Sequence, residues 1–130
     1  MISISLRVGE VLETQARVQP NVMGVRDLER TLTFREWHAR SNRLANGLRG
    51  LGLAKGDRVA VFAYNRVEWA EIYVAAALAG VVPVPINFRL NAAEAAFIIR
   101  DAGAAAIIVE DVLADLLNRR GTFTAFPRCI

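Results

Sequence analysis

"DRVAVFAYNRVEWAEIYVAAALAGVVPVPINFRLN", residues 57–91, decides the fold class. Val59 to Ala63 is an uninterrupted apolar run that follows the turn "AKGD", the pattern of a buried strand. Asn65 stands where a helix N-cap belongs, and the helix it would start runs from Arg66 to about Ala79, with Gly80 to end it. Val67, Ala70, Val74 and Ala77 would line one face, and Trp69, Ile72, Tyr73 and Ala76 another. So little polar face is left that this helix is expected between layers. "VVPVP" then reads as a second strand. Pro83 cannot donate to a ladder, which puts that strand near an edge or leaves one of its sides unpaired. Strand, helix and strand at this spacing predict a right-handed parallel crossover.

Upstream, Val8, Val11, Leu12 and Ala16 fall at helical spacing, which predicts a helix over 8–18 stopped by Pro20. "VMGVRDLERTLTF" reads as a hairpin around a polar turn at Asp27 to Arg30. Thr33 and Glu36 have capping-box spacing, and Leu32 and Trp37 are placed for a hydrophobic staple. Trp37, Leu44, Leu48 and Leu51 continue an apolar stripe, and Gly50 or Gly52 can supply the left-handed residue that ends the helix. Downstream, Asn91 with Glu94 starts another helix that Gly103 closes, "AAAIIVE" is a third strand, and Asp111 to Asn118 a last helix. The alternation predicts an α/β class with a partial, largely parallel sheet and flanking helices. The final "GTFTAFPRCI" shows no pattern, so residues 119–130 are expected to be an irregular tail on a chain that stops early.

A chain of 130 residues is expected to form a single domain. With 54% hydrophobic and 22% charged residues it is not a disordered chain. The longest uncharged run, Ile72 to Phe88, is shorter than the ~20 residues of a membrane helix, and Gly80, Pro83 and Pro85 interrupt it. "MISISLRVGEVLE" lacks the parts of a secretion signal. A single cysteine, Cys129, has no internal disulfide partner, which points to the cytoplasm. The net charge of +3 comes almost wholly from scattered arginines, with Arg119–Arg120 the only adjacent pair. Nucleic-acid binders cluster such residues or interleave them with stacking aromatics, so no nucleic-acid partner is expected. A small polyanionic ligand fits the balance.

The search for catalytic constellations is negative. No G-x-G-x-x-G follows a strand, and no G-x-x-x-x-G-K-[ST] is present. No serine sits in a strand-to-helix elbow, Cys129 has no histidine partner, and His38 reads as a surface histidine without metal-ligand companions. Asp57 precedes its strand and Lys55 is the only lysine, which makes a phosphoacceptor receiver a poor fit. No catalytic or metal-binding residue is therefore assigned. In an open parallel sheet, ligands gather at the carboxyl ends of the strands. "AYNR" and "INFRLN" share that edge, and each leads into a helix N-terminus, where free N–H groups favour anions. Arg89 sits in the second loop. On this footing it is either a phosphate ligand or a solvated turn residue.

Three pieces of sequence carry a resemblance: "LTF" at 32–34, "LGLAKGDRVAVFAYNRVEW" at 51–69, and "AGVVPVPINFRLNAAEAAFIIRDAGA" at 79–104. In this order and spacing, the chain from about Val8 to about Leu117 resembles the N-terminal part of AMP-forming acyl-CoA synthetases. The wider adenylate-forming superfamily also holds luciferases and peptide-synthetase adenylation domains. The resemblance implies a large α/β domain of which this is the opening part. It implies activation of a carboxylic acid with MgATP to an acyl-adenylate and pyrophosphate, then transfer of the acyl group to CoA. ATP, Mg2+ and CoA are thus the implied ligands of the complete enzyme. The family's Ser/Thr/Gly-rich loop ending in Pro-Lys-Gly is not in these 130 residues, so none of the three is expected to bind this chain tightly, and the fragment alone is expected to be inactive. Asn87, Phe88, Arg89 and Leu90 match the family's Asn-x-Arg-Leu loop, whose arginine in some CoA ligases binds the phosphate on the ribose of CoA. Phe88 departs from the proline common at the second position. A truncated or frameshifted product is one expectation for the tail. The alternatives are a non-enzymatic folding or oligomerisation unit, and a related adenylating enzyme of the carrier-protein or luciferase type. Homo-oligomerisation or association through exposed apolar surface is expected from the apolar helix at 66–79. The acyl substrate is not encoded in this stretch.

Overall fold

The computed structural model describes residues 7–118, so the expected tail at 119–130 lies outside the described residues. The elements run α1 (Val8–Val18), β1 (Met23–Arg26), β2 (Thr31–Thr33), α2 (Phe34–Gly50), β3 (Arg58–Phe62), α3 (Val67–Ala79), β4 (Val82–Ile86), α4 (Ala92–Asp101), β5 (Ala106–Val109) and α5 (Asp111–Asn118). This is the α/β alternation that the patterning predicts. The chain divides into two units, residues 7–52 with 65–80 and residues 53–64 with 81–118. No helix among the described residues is long and apolar enough to cross a membrane.

The first unit holds a hairpin and α1 to α3. β1 and β2 pair antiparallel, with an irregularity between Met23 and Val25. Asp27 makes the turn: its N–H donates to the Arg30 carbonyl at 2.9 Å. Its Oδ1 accepts from the backbone N–H groups of Glu29 and Arg30 at 2.8 and 2.7 Å. The Thr33–Glu36 box forms as predicted. The Thr33 N–H and hydroxyl donate to the Glu36 carboxylate at 2.8 and 2.9 Å, and together they hold that carboxyl below its usual range. Gly52, with φ of 77°, is the left-handed residue after α2, and Gly80, with φ of 76°, closes α3.

Two apolar stripes turn out differently from expectation. The fully buried line of α2 is Ser41, Ala45 and Leu48, while Trp37, Leu44 and Leu51 are half-buried. In α1 only Gly9 and Leu12 are buried, and Val8 and Val11 are exposed. Gly9 lies against α3: a Cβ there would come within 2.5 Å of Leu78 Cδ2. Along α3 only Tyr73 and Ala77, four residues apart, are exposed, a narrower apolar stripe than the two faces the spacing predicts. Further large apolar side chains are exposed elsewhere, Phe97 of α4 and Val112 of α5 among them. Buried Glu71 is the one charged residue enclosed on α3, paired with Arg40 of α2.

The second unit is a parallel sheet in the order β4-β3-β5, with α4 and α5. The registers run Arg58 to Phe62 against Val82 to Ile86, and Val59 to Phe62 against Ala106 to Val109. The strand starts at Arg58 and stops at Phe62, one residue earlier at each end than the apolar run suggests. Ala60, Phe62, Ile86 and Ile107 of the strands pack with Ala95 and Ile99 of α4 and Leu113 and Leu117 of α5 in one core. β4 is an edge, as its prolines predict. The Val82 N–H donates to the Asp57 carbonyl at 2.8 Å, so Val82 faces β3. Alternation then turns Pro83 and Pro85 outward, where their missing donors break no bond and leave an edge that another strand cannot extend regularly. Arg58 ties the start of β3 to the end of α4, donating from Nε to Ala102 O at 2.9 Å and from Nη2 to Gly103 O at 3.1 Å. A cation at a helix C-terminus is favoured there by the dipole.

Candidate functional site

The loop that follows β4 is short and closed by its own residues. Asn87 Oδ1 accepts the Arg89 N–H at 3.0 Å, and the Asn87 carbonyl accepts the Leu90 N–H at 3.1 Å. This turn seats Phe88 and Leu90, both half-buried, on the core beneath. The Phe88 ring meets Tyr64, which follows β3, at 4.8 Å between centroids and 57° between planes. Tyr64 is fixed in turn by β5: its N–H donates to Glu110 Oε2 at 2.8 Å, and the Glu110 N–H donates to the Phe62 carbonyl at 3.0 Å. The ends of all three strands therefore meet at Tyr64, Phe88 and Glu110.

Arg89 stands on top of this arrangement. It is exposed, and its Cζ lies 5.6 Å from the Phe88 ring centroid. Among the described residues its guanidinium makes no ion pair, unlike Arg30, Arg40 and Arg66. Its donors are available for a phosphate or carboxylate. Arg89, which the sequence singles out, thus lies at the strand-end edge and forms no ion pair among the described residues.

The helix N-termini contradict the expectation of free N–H groups. At α4, Asn91 Oδ1 accepts from Ala93 and Glu94 N–H at 2.9 and 3.0 Å, and the Glu94 carboxylate accepts from Asn91 N–H at 2.9 Å. At α3, Asn65 is not the cap. The helix starts after Arg66, which offers no side-chain bond, and Asp27 Oδ2 accepts the Val67 N–H at 2.9 Å. The hairpin turn grips the first turn of α3 twice more, through Glu29 to Arg66 at 3.5 Å and Arg30 to Glu68. The backbone N–H groups of Val67, Arg30 and Glu29 hold the Asp27 carboxyl below its usual range. A cleft of about 220 Å3 in the first unit, lined by Val25, Asp27, Arg66, Val67 and Trp69, therefore already contains a carboxylate. Both helix starts that sequence offers as anion sites are closed by the chain's own side chains. Sequence reading could not find Asp27, because 40 residues separate it from Val67. His38 is half-buried rather than fully on the surface. Cys129 lies outside the described residues.

The AMP-binding enzyme family profile matches residues 12–125. A long-chain-fatty-acid–CoA ligase, FadD13, from Mycobacterium tuberculosis is 39% identical over 103 residues, 78% of this chain and 20% of that protein. A fatty acid–[acyl-carrier-protein] ligase, ScoC, from Streptomyces coeruleorubidus is 36% identical over 104 residues, 80% of this chain and 20% of that protein. Among solved structures, the N-terminal domain of FACL13 from Mycobacterium tuberculosis superposes with a TM-score of 0.86 at 33% identity, covering 97% of this chain and 34% of that one. The chain spans about a fifth of the length of these curated relatives.

Proposed function

The chain belongs to the AMP-binding enzyme family, and from that premise we propose that it forms the opening part of an AMP-forming acid–thiol ligase of the acyl-CoA synthetase type. The reaction is carboxylic acid, ATP and CoA to acyl-CoA, AMP and pyrophosphate, run as adenylation followed by thioester formation. The role of the described residues lies in the second step, where Arg89 takes the phosphate on the ribose of CoA. The observation that carries this reading is an exposed Arg89, without an ion pair among the described residues, on the turn between β4 and α4, beside a helix start already filled by Asn91 and Glu94. The phosphates of ATP and the Mg2+ ion are assigned to the remainder of such a ligase, because α3 and α4 offer them no free N-terminus. A cytoplasmic location fits the single cysteine.

One relative's name gives a second reading, transfer to a carrier protein instead of CoA. A carrier-bound thiol arm has no ribose phosphate, so the two readings differ at Arg89. In a full-length ligase carrying the same loop, Arg89→Ala removes a charge-assisted contact of about 1.5–3 kcal/mol. At 1.4 kcal/mol per factor of ten, that is a loss of about 10- to 150-fold in the use of CoA. Pyrophosphate exchange, which reports adenylation alone, should remain near its original level. An unchanged CoA titration defeats the phosphate role and favours the carrier-protein reading. A parallel fall of both half-reactions with the melting temperature defeats it in favour of a structural arginine.

A further inference from the structure

Arg89 is a long side chain at an exposed turn, and a free arginine of that kind samples many rotamers before it meets a ligand. Three features of the turn narrow that search. The backbone is closed by Asn87 on the N–H groups of Arg89 and Leu90. The Phe88 ring is seated on the core and tilted against Tyr64, which Glu110 fixes through its N–H. The guanidinium lies 5.6 Å from that ring's centroid, within the range of a cation–π contact. A guanidinium stacks through its face and donates hydrogen bonds in its plane, so the contact restrains Arg89 without consuming its donors. A proline at position 88 would offer no such π-face.

We propose that Phe88 is a positioning residue for Arg89, its braced ring holding the guanidinium ready for a phosphate. The inference rests on the reading of Arg89 as a phosphate ligand. Adenosine 3′,5′-bisphosphate is the probe, titrated into the arginine-labelled chain while the Arg89 Nε–H resonance is followed by NMR. In the unaltered chain and in Phe88→Tyr, that resonance should carry a ring-current shift. In Phe88→Leu, which keeps an apolar group on the core, the shift should vanish and the dissociation constant should rise about two- to five-fold. That range is the equivalent of about 0.5–1 kcal/mol for an exposed cation–π contact.

An Arg89 resonance without ring-current shift in the unaltered chain overturns the proposal. So does an affinity that Phe88→Leu leaves unchanged, or one that Phe88→Tyr lowers as much as Phe88→Leu. If Arg89→Ala binds the bisphosphate as tightly as the original chain, the phosphate reading itself is wrong and the positioning role falls with it. A weakened Arg89→Ala beside an unaffected Phe88→Leu instead keeps the ligand role and removes only the positioning one.

Discussion

α3 and α4 both follow a strand of the parallel sheet in sequence, yet their first turns are stabilised in opposite ways. α4 is capped from within, by Asn91 and Glu94 three residues apart. α3 is capped from outside, by Asp27 in a hairpin turn, with Glu29 and Arg30 reinforcing the grip through Arg66 and Glu68. A local cap depends only on its own helix. A borrowed cap makes two elements depend on one carboxylate, because Asp27 Oδ1 shapes the hairpin while Oδ2 holds the helix. The same comparison bears on function. With both helix starts occupied, the phosphate contact proposed for these residues rests on a side chain, Arg89.

The sharpest way to break the comparison is Asp27→Ala. It leaves the N–H groups of Val67, Glu29 and Arg30 without their acceptor. The largest loss of melting temperature in this set is expected, with amide exchange accelerated in the turn and at the start of α3 together. If only one of the two elements loses protection, Asp27 does not couple them. Asn91→Ala should do less and do it locally, costing about 0.5–2 kcal/mol and fraying α4 alone in hydrogen exchange. A loss of protection in the hairpin would erase the distinction between the two caps.

The smallest effect is electrostatic. Because hydrogen bonding lowers the Asp27 carboxyl in the folded chain, its contribution is complete above the ordinary aspartate value of about 3.9 and disappears as the pH falls through the lowered one. Asp27→Asn keeps one oxygen acceptor, replaces the other with an NH2 that cannot accept, and cannot titrate. The original chain should therefore melt higher by a constant margin near neutrality, and the margin should narrow as the pH falls below about 3.9. A margin that stays constant throughout acidification would show that the carboxylate charge adds nothing to the cap.

The difference between the caps also separates what the sequence reveals from what it hides. Thr33 with Glu36 and Asn91 with Glu94 are readable because partners three residues apart follow from helical geometry alone. The apolar runs of the strands and the prolines of β4 are readable for the same reason, each being short in range. Asp27 to Val67 and Glu110 to Tyr64 span 40 and 46 residues, and no local pattern announces them. Asn65 was the better local candidate for the α3 cap, and tertiary structure overrode it. The buried line of α2 was missed because it passes through Ser41, a polar residue that binary patterning puts outside. Gly9 was missed because a contact made by the lack of a side chain leaves no apolar signal. Arg89 could be located from the strand-end rule, but its stacking on the adjacent Phe88 required the Asn87 turn, which brings neighbouring side chains together.

The central proposal is that phosphate meets the Arg89 side chain and not the helix starts. It is tested most directly by titrating the isotope-labelled chain with adenosine 3′,5′-bisphosphate and comparing backbone with side-chain resonances. The account predicts that the Arg89 guanidinium and the amides of residues 87–90 move, while the amides of Val67, Ala93 and Glu94, already bonded to Asp27 and Asn91, stay in place. Largest shifts at Val67, or at Ala93 and Glu94, with Arg89 unmoved would contradict it.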